Sequence, residues 1–249
     1  YEIASCLVGS EMCIRDRARI LQLVQKYGQG EMRRPVEIEF AVNLNATEKK
    51  GVFYLLQIRP MVDMKADLNE DLDAIPEDQL LLKSVNSLGQ GIIDDIQDVI
   101  YVKTEGYSAS NNQLIAYDIE KLNKRFLDEG KHYILIGPGR WGSSDTWLGI
   151  PVKWPNISAA RVIVEAGLTN YRVDPSQGTH FFQNLTSFGV GYFTINAYMN
   201  DGLYNQELLN SMPAVEETKY LRWVHFDKPL AVKMNGKKKL GVVSFDTSL

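Results

Sequence analysis

Cysteine is nearly absent from this 249-residue chain: there are two, Cys6 and Cys13, and both lie between Ser5 and Arg17, a stretch whose pattern differs from that of the residues after it. With that stretch set aside, no thiol remains for a disulfide framework, a cysteine zinc site or a thiol nucleophile, and a reducing cytoplasm is the expected compartment. A basic excess is missing as well. Lys and Arg number 27 against 31 Asp and Glu, a net charge of -4, which argues against a nucleic-acid-binding chain. No apolar run approaches the roughly 20 residues of a membrane span, so no membrane is expected among the partners. The opening residues lack the initiator methionine, the basic start and the apolar length of a signal peptide. No internal repeat or low-complexity tract is found. What is there, 45% hydrophobic and 23% charged residues, suits one or two globular domains with real cores.

The most informative residues form two short strands, Val36 to Phe40 and Tyr54 to Pro60. At period two, Val36, Ile38, Phe40 and Val42 point one way while Glu37, Glu39 and Asn43 point the other, which puts the two carboxylates about 7 Å apart on one surface. In the second strand Val52, Tyr54, Leu56 and Ile58 are expected on the apolar face, with Gln57 and Arg59 opposite. A hairpin whose loop centres near Glu48 then sets Glu39 across from Gln57 and Glu37 across from Arg59. Hard cations such as Mg²⁺ take oxygen ligands, often one or two carboxylates plus substrate phosphates, and an arginine orients phosphate oxygens. The plainer reading of the same residues is a half-buried hairpin whose outer face carries a cross-strand ion pair.

The Glu-Ile-Glu-Phe strand at Glu37 to Phe40, followed by Tyr-Leu-Leu-Gln-Ile-Arg-Pro at Tyr54 to Pro60, resembles the end of the ATP-grasp nucleotide-binding domain of the phosphoenolpyruvate synthase and pyruvate phosphate dikinase family. By that resemblance Glu39 is the Mg-nucleotide carboxylate, Glu37 its acidic neighbour, Gln57 a second contact to metal or phosphate, and Arg59 the phosphate-binding arginine of the catalytic centre. The family usually has Asp where Glu37 stands. The resemblance covers residues 18–62 and implies Mg²⁺ and ATP as cofactors. An amphipathic helix with Ile20, Leu23, Val24 and Tyr27 on its apolar side, ending at Gly28, fits the element that precedes the acidic strand. Residues 1–17 resemble translated adapter sequence and are treated as a scar. The glycine-rich loop and lysine of the upstream ATP-grasp lobe, and the barrel that handles pyruvate, have no counterpart here. The chain by itself is therefore expected to bind ATP poorly.

After residues 18–63, an acidic connector is expected over residues 64–78, and a second domain over residues 79–249. Strands are predicted at Val99 to Val102, Tyr133 to Ile136, Arg161 to Glu165 and Gly189 to Asn196, a mixed strand and helix at Leu114 to Leu127, and a helix at Tyr204 to Met212. Leu230 to Met234 and Leu240 to Phe245 suggest a hairpin turning at Asn235-Gly236. The expectation is an α/β or α+β fold. Gly137-Pro138-Gly139-Arg140-Trp141-Gly142 formally satisfies a dinucleotide fingerprint, with Glu165 at about the right distance, but Gly149, Pro151 and Pro155 interrupt the helix it requires. Two readings of this loop stay open: a phosphate- or carboxylate-gripping loop built from Arg140, Ser143 and Ser144, or a Gly-Pro turn on which Trp141, Trp147 and Trp154 pack.

His180, in Gln177-Gly178-Thr179-His180, sits where a phosphorylated side chain is favoured if a helix starts there. The order of elements around it is similar to the swivelling phosphohistidine domain of the same family, although a glycine is missing and Phe181 and Phe182 replace alanines. By that resemblance His180 is a candidate phosphoryl carrier. It stands against a histidine held by ordinary hydrogen bonds, the reading also given to His132 and His225. The whole points to part of an ATP-dependent phosphotransferase acting on a small-molecule acceptor, pyruvate by the resemblance. The alternative is a non-catalytic nucleotide-sensing or scaffold module.

Overall fold

The computed structural model describes residues 14–32, 36–45, 50–60, 71–169, 172–174, 185 and 189–245, and the chain divides into two compact units, Tyr1–Asp63 and Met64–Leu249. Among the described residues no helix is long and apolar enough to cross a membrane.

The first unit is a helix, α1 (Ile14–Met32), on a hairpin of β1 (Val36–Asn45) and β2 (Lys50–Pro60). The helix does not stop at Gly28, and it takes in Ile14 to Arg17 of the excluded stretch. Gly28 is buried because α1 lies against the strands: a Cβ there would overlap Ile58 Cδ1 and sit 3.1 Å from Val36 Cγ2. The glycine permits a close approach instead of ending the helix. The inward stripe is accordingly Ile20, Val24 and Gly28, at i, i+4 and i+8. Leu23 and Tyr27, expected on that stripe, are 52% and 70% exposed.

The second unit is mixed α/β, dominated by one large mixed sheet. Its strands are β3 (Leu80–Ser84), β4 (Asn86–Leu88), β5 (Gln90–Val102), β6 (Tyr133–Pro138), β9 (Ala160–Ala166), β10 (Gly191–Ile195), β11 (Leu203–Tyr204), β12 (Ala214–Glu217), β13 (Leu221–Asn235) and β14 (Leu240–Ser244). A separate small pair is β7 (Arg140–Trp141) with β8 (Gly149–Ile150). Helices with both ends among the described residues are α2 (Asn112–Asp128) and α3 (Gln206–Ser211). The path runs β11-β3-β14-β13-β5-β6-β9-β10-β4, with β12 on β13; β5, β6, β9 and β10 are mutually parallel.

β3 and β4 are successive parts of one stretch, separated only by Val85. Since β3 pairs with β14 and β4 with β10, that stretch joins the two ends of the sheet and rolls it into a barrel. Ser84 Oγ donates to the Thr194 carbonyl at 2.7 Å across the seam, and Ser87 N–H donates to the Lys239 carbonyl at 2.9 Å.

Both faces of the parallel strands are covered, which is why Tyr133 to Ile136 reads as an unbroken apolar run. Ile134 and Ile136 pack inside the barrel with Val99, Val164, Phe193 and Val232. Tyr133 and Leu135 pack outward under α2 with Ile119, Leu122 and Phe126. That apolar face makes Leu114 to Leu127 wholly helical, where a strand–helix mixture was expected. The final hairpin forms, but its turn lies over residues 236–239 and not at Asn235-Gly236, because Asn235 still pairs with Leu240. The acidic stretch is no simple connector from Asp71 onward: Leu72 is buried with Leu80, Leu240 and Val242, and Asp73 pairs with Lys83 at 2.7 Å.

Candidate functional site

The hairpin brings the predicted polar residues into register. Glu37 pairs with Arg59 and Glu39 with Gln57 along an antiparallel ladder. Next to them the pattern changes. Glu39 faces Gln57 but Phe40 faces Leu55, so Leu56 is an extra residue, a β-bulge. An inserted residue inverts the alternation beyond it. Phe53 and Leu55 therefore join Ile58 on the apolar side, and Phe40 stacks on Phe53 with ring centroids 5.1 Å apart. Val52 and Tyr54, expected on that side, instead share the face of Glu37 and Glu39 and are 47% and 48% exposed. The acidic pair is thus flanked along the ladder by an aromatic ring and an aliphatic side chain.

Glu37 and Glu39 are solvent-exposed. Among the described residues no group of three His, Cys, Asp or Glu could hold a metal ion by itself. Two carboxylates and the Gln57 amide oxygen remain a donor set of the hard, oxygen-only kind that suits Mg²⁺ when phosphate supplies the other ligands.

The glycines of the second unit's loop serve the path of the backbone. No helix begins at Gly137 or Gly139; the chain forms β7, loops round, and runs on as β8, parallel beside it. Gly139 has φ +75°, and a Cβ on Gly149 would sit 2.6 Å from both the nitrogen and the carbonyl carbon of Arg140, so the two backbones touch where only glycine fits. Ser143 Oγ donates to the Asp145 carbonyl at 2.8 Å and accepts the Asp145 N–H at 3.2 Å. Arg140 Nε donates to the Asp174 carbonyl at 3.2 Å. Of the three proposed anion-gripping residues, Ser143 thus bonds within its own loop and Arg140 bonds a carbonyl 34 residues along the chain. Trp141 is buried, its indole N–H donating to the Val164 carbonyl at 2.9 Å, whereas Trp147 is 71% exposed. Glu165 is buried and accepts the Trp141 N–H at 3.0 Å and the Tyr192 hydroxyl.

The Ser176-to-Asn184 motif, with His180, lies outside the described residues. His132 Nδ1 contacts the Ala159 carbonyl at 3.2 Å, and His225 Nδ1 bonds the buried Asp98 at 2.8 Å, so both serve the fold.

Comparisons with protein-family models, with curated proteins and with solved structures find no match to this chain.

One feature of the second unit was not anticipated from sequence. The carboxyl ends of β5, β6 and β9 border a cleft of about 220 Å³ at the mouth of the barrel, completed by Thr104, Tyr198, Tyr204 and Gln206. Gln206 Nε2 donates to Thr104 Oγ1 at 2.8 Å. Burial pushes the Tyr204 phenol upward, so it stays a neutral donor. A second cleft of about 430 Å³ shares Thr104 and Gln206 with the first and is lined by Lys103, Lys219 and Arg222 with Glu105 and Glu217. The only local sequence signal for these clefts is a threonine following a buried strand, at Thr104 and Thr169. The contributing segments are too far apart in the chain to read together.

Proposed function

We propose that the β1–β2 hairpin is the Mg-nucleotide end of an ATP-dependent phosphotransferase resembling the phosphoenolpyruvate synthase and pyruvate phosphate dikinase family. The observation that supports this reading is the register itself, Glu37 opposite Arg59 and Glu39 opposite Gln57. Glu39 and Gln57 are the residues that would hold Mg²⁺, with Glu37 beside them adding negative charge. Bound there, Mg²⁺ would supply charge neutralisation to the nucleotide phosphates. Arg59 orients the phosphoryl group through its guanidinium, and positioning with charge neutralisation supplies most of the catalysis in this chemistry. The acceptor is a small molecule, pyruvate by the resemblance, reached directly or through His180. The compartment is the cytoplasm.

The test is localised line broadening. Mn²⁺ with ATP at millimolar concentration is expected to broaden the backbone amide signals of Glu37, Glu39 and Gln57 in the labelled chain, and Glu39→Gln to remove the effect. Broadening spread evenly over the surface, or unchanged in the variant, would sink the nucleotide assignment. Transfer is read separately as acid-labile phosphate after incubation with Mg-ATP, with loss in His180→Ala placing it on that histidine.

A second reading, a nucleotide-sensing or scaffold module without transfer, draws support from the glycine loop. Ser143 bonds within its own loop and Arg140 gives its Nε–H to the Asp174 carbonyl, bonds with which a transferred phosphate would have to compete. Nucleotide binding with no acid-labile phosphate selects this reading.

A further inference from the structure

We propose that the two joined clefts of the second unit form a binding site for a small phosphorylated polyol of the sugar monophosphate class, independent of the hairpin. The location is the first argument: ligands of sheets with parallel strands bind outside the strands' carboxyl ends, and barrels bind them at the mouth. Here the carboxyl ends of β5, β6 and β9 meet at Val102, Pro138 and Ala166 to make the floor of the inner cleft.

The chemistry of the walls divides the ligand into two parts. Among the described residues no charged side chain lines the inner cleft. Its polar groups are the hydroxyls of Thr104, Thr169, Tyr198 and Tyr204 and the Gln206 amide. Hydroxyls donate and accept, as a polyol's do, and Gln206, whose Nε2 is engaged by Thr104, keeps its amide oxygen as an acceptor. At about 220 Å³ the inner cleft lies below the ~300–1,000 Å³ of a drug-sized site and fits a body of sugar dimensions.

The outer cleft carries the charge. Lys103 Nζ is already engaged, bonding Glu217 at 2.9 Å and the Thr218 carbonyl at 3.0 Å. Arg222 gives one N–H to the Met212 carbonyl at 2.6 Å, while its Nε stands 3.9 Å from Glu217, too far to bond. Lys219 has no ion-pair partner among the described residues and lies 5.1 Å from the Tyr220 ring centre. The outer cleft thus carries three cations, Lys103, Lys219 and Arg222, against two carboxylates, Glu105 and Glu217, which leaves one positive charge in excess. A phosphate meets the Lys219 point charge and the Arg222 guanidinium there. Thr104 and Gln206, common to both clefts, make the two parts one site.

The test titrates the isotope-labelled 249-residue chain with ribose 5-phosphate and glucose 6-phosphate, and in parallel with ribose, glucose and inorganic phosphate. One of the sugar phosphates is expected to shift the amides of Thr104, Gly167 and Lys219 and to bind about tenfold or more tightly than either half alone, because the linked halves occupy the site together. Lys219→Ala, at an exposed position, should weaken binding about tenfold with an unchanged thermal midpoint, and Thr104→Val, which also removes the acceptor of the Gln206 bond, should weaken it comparably. The proposal is overturned if neither sugar phosphate shifts these amides at millimolar concentration. Inorganic phosphate binding as tightly as the sugar phosphates, or Lys219→Ala leaving the affinity unaltered, overturns it equally.

Discussion

Replacing Asn123 by leucine should unhinge α2 from the strands beneath it. Asn123 is 2% exposed, and its Oδ1 accepts two bonds at 2.9 Å, from the Ala159 N–H and from the Tyr133 hydroxyl. Its Nδ2 donates to the Pro155 carbonyl at 3.1 Å. Leucine has similar volume but no polar atom, so Ala159 N–H and Tyr133 O–H, both on fully buried residues, are left without an acceptor. An orphaned buried donor costs about 1–3 kcal/mol, which puts the expected loss at about 2–6 kcal/mol. Against a domain stability of about 5–15 kcal/mol that is a large fraction. Urea unfolding followed by tryptophan fluorescence is the assay, because Trp141, Trp147, Trp154 and Trp223 all belong to the second unit and report on it alone. Tyr133→Phe provides the sharper test. Alone it should cost about 1 kcal/mol, but in the Asn123→Leu background it removes an orphan and should cost nothing, a coupling of about 1 kcal/mol or more. A loss below about 1 kcal/mol in Asn123→Leu, or strict additivity of the pair, would refute the reasoning.

Two further outcomes are expected. The Lys103 ammonium, hydrogen-bonded to Glu217, holds that carboxyl below the usual glutamate range. With the folded-state value depressed, the bond's contribution is complete above the unfolded glutamate value of about 4.3 and disappears as pH falls through the lowered one. Carbon NMR titration of the Glu217 carboxyl should show its midpoint rising into the usual range in Lys103→Met, and an unmoved midpoint would discard the ion pair. In Gly149→Ala the new methyl meets Arg140 backbone atoms at 2.6 Å, which cannot yield as a side-chain tip can. The β7–β8 pair should open at about 1–3 kcal/mol and the Trp141 indole proton should exchange faster with water. An exchange rate equal to the parent's would show that the loop tolerates a side chain there.

The candidate hairpin was legible because its signal is short-ranged. Alternation over Val36 to Phe40 and Gln57 to Arg59 places polar groups on one face, and opposite charges at Glu37 and Arg59 settle which residues pair. The bulge at Leu56 was not legible: leucine suits the regular strand and the bulge equally, and only the pairing distinguishes them. For the same reason Tyr54 and Val52 were assigned to the wrong face. The glycine loop stayed ambiguous, since a glycine needed for touching backbones and one needed for a phosphate look alike in a sequence. Gly28 ended a predicted helix for want of knowing that Ile58 lies against it.

By itself, then, the sequence determined the two hairpins, the buried runs that become β6 and β9, the helical period of α1 and the mixed α/β class. These derive from periods of two and 3.6 residues, which report local geometry. The tertiary structure alone decided that residues 80–88 close the sheet into a barrel by pairing with β14 on one side and β10 on the other. It alone brought Thr104, Gly167, Tyr198 and Gln206 around one cleft. Strand partners distant in sequence are selected by the simultaneous packing of the whole core, and no local pattern of residues carries that choice.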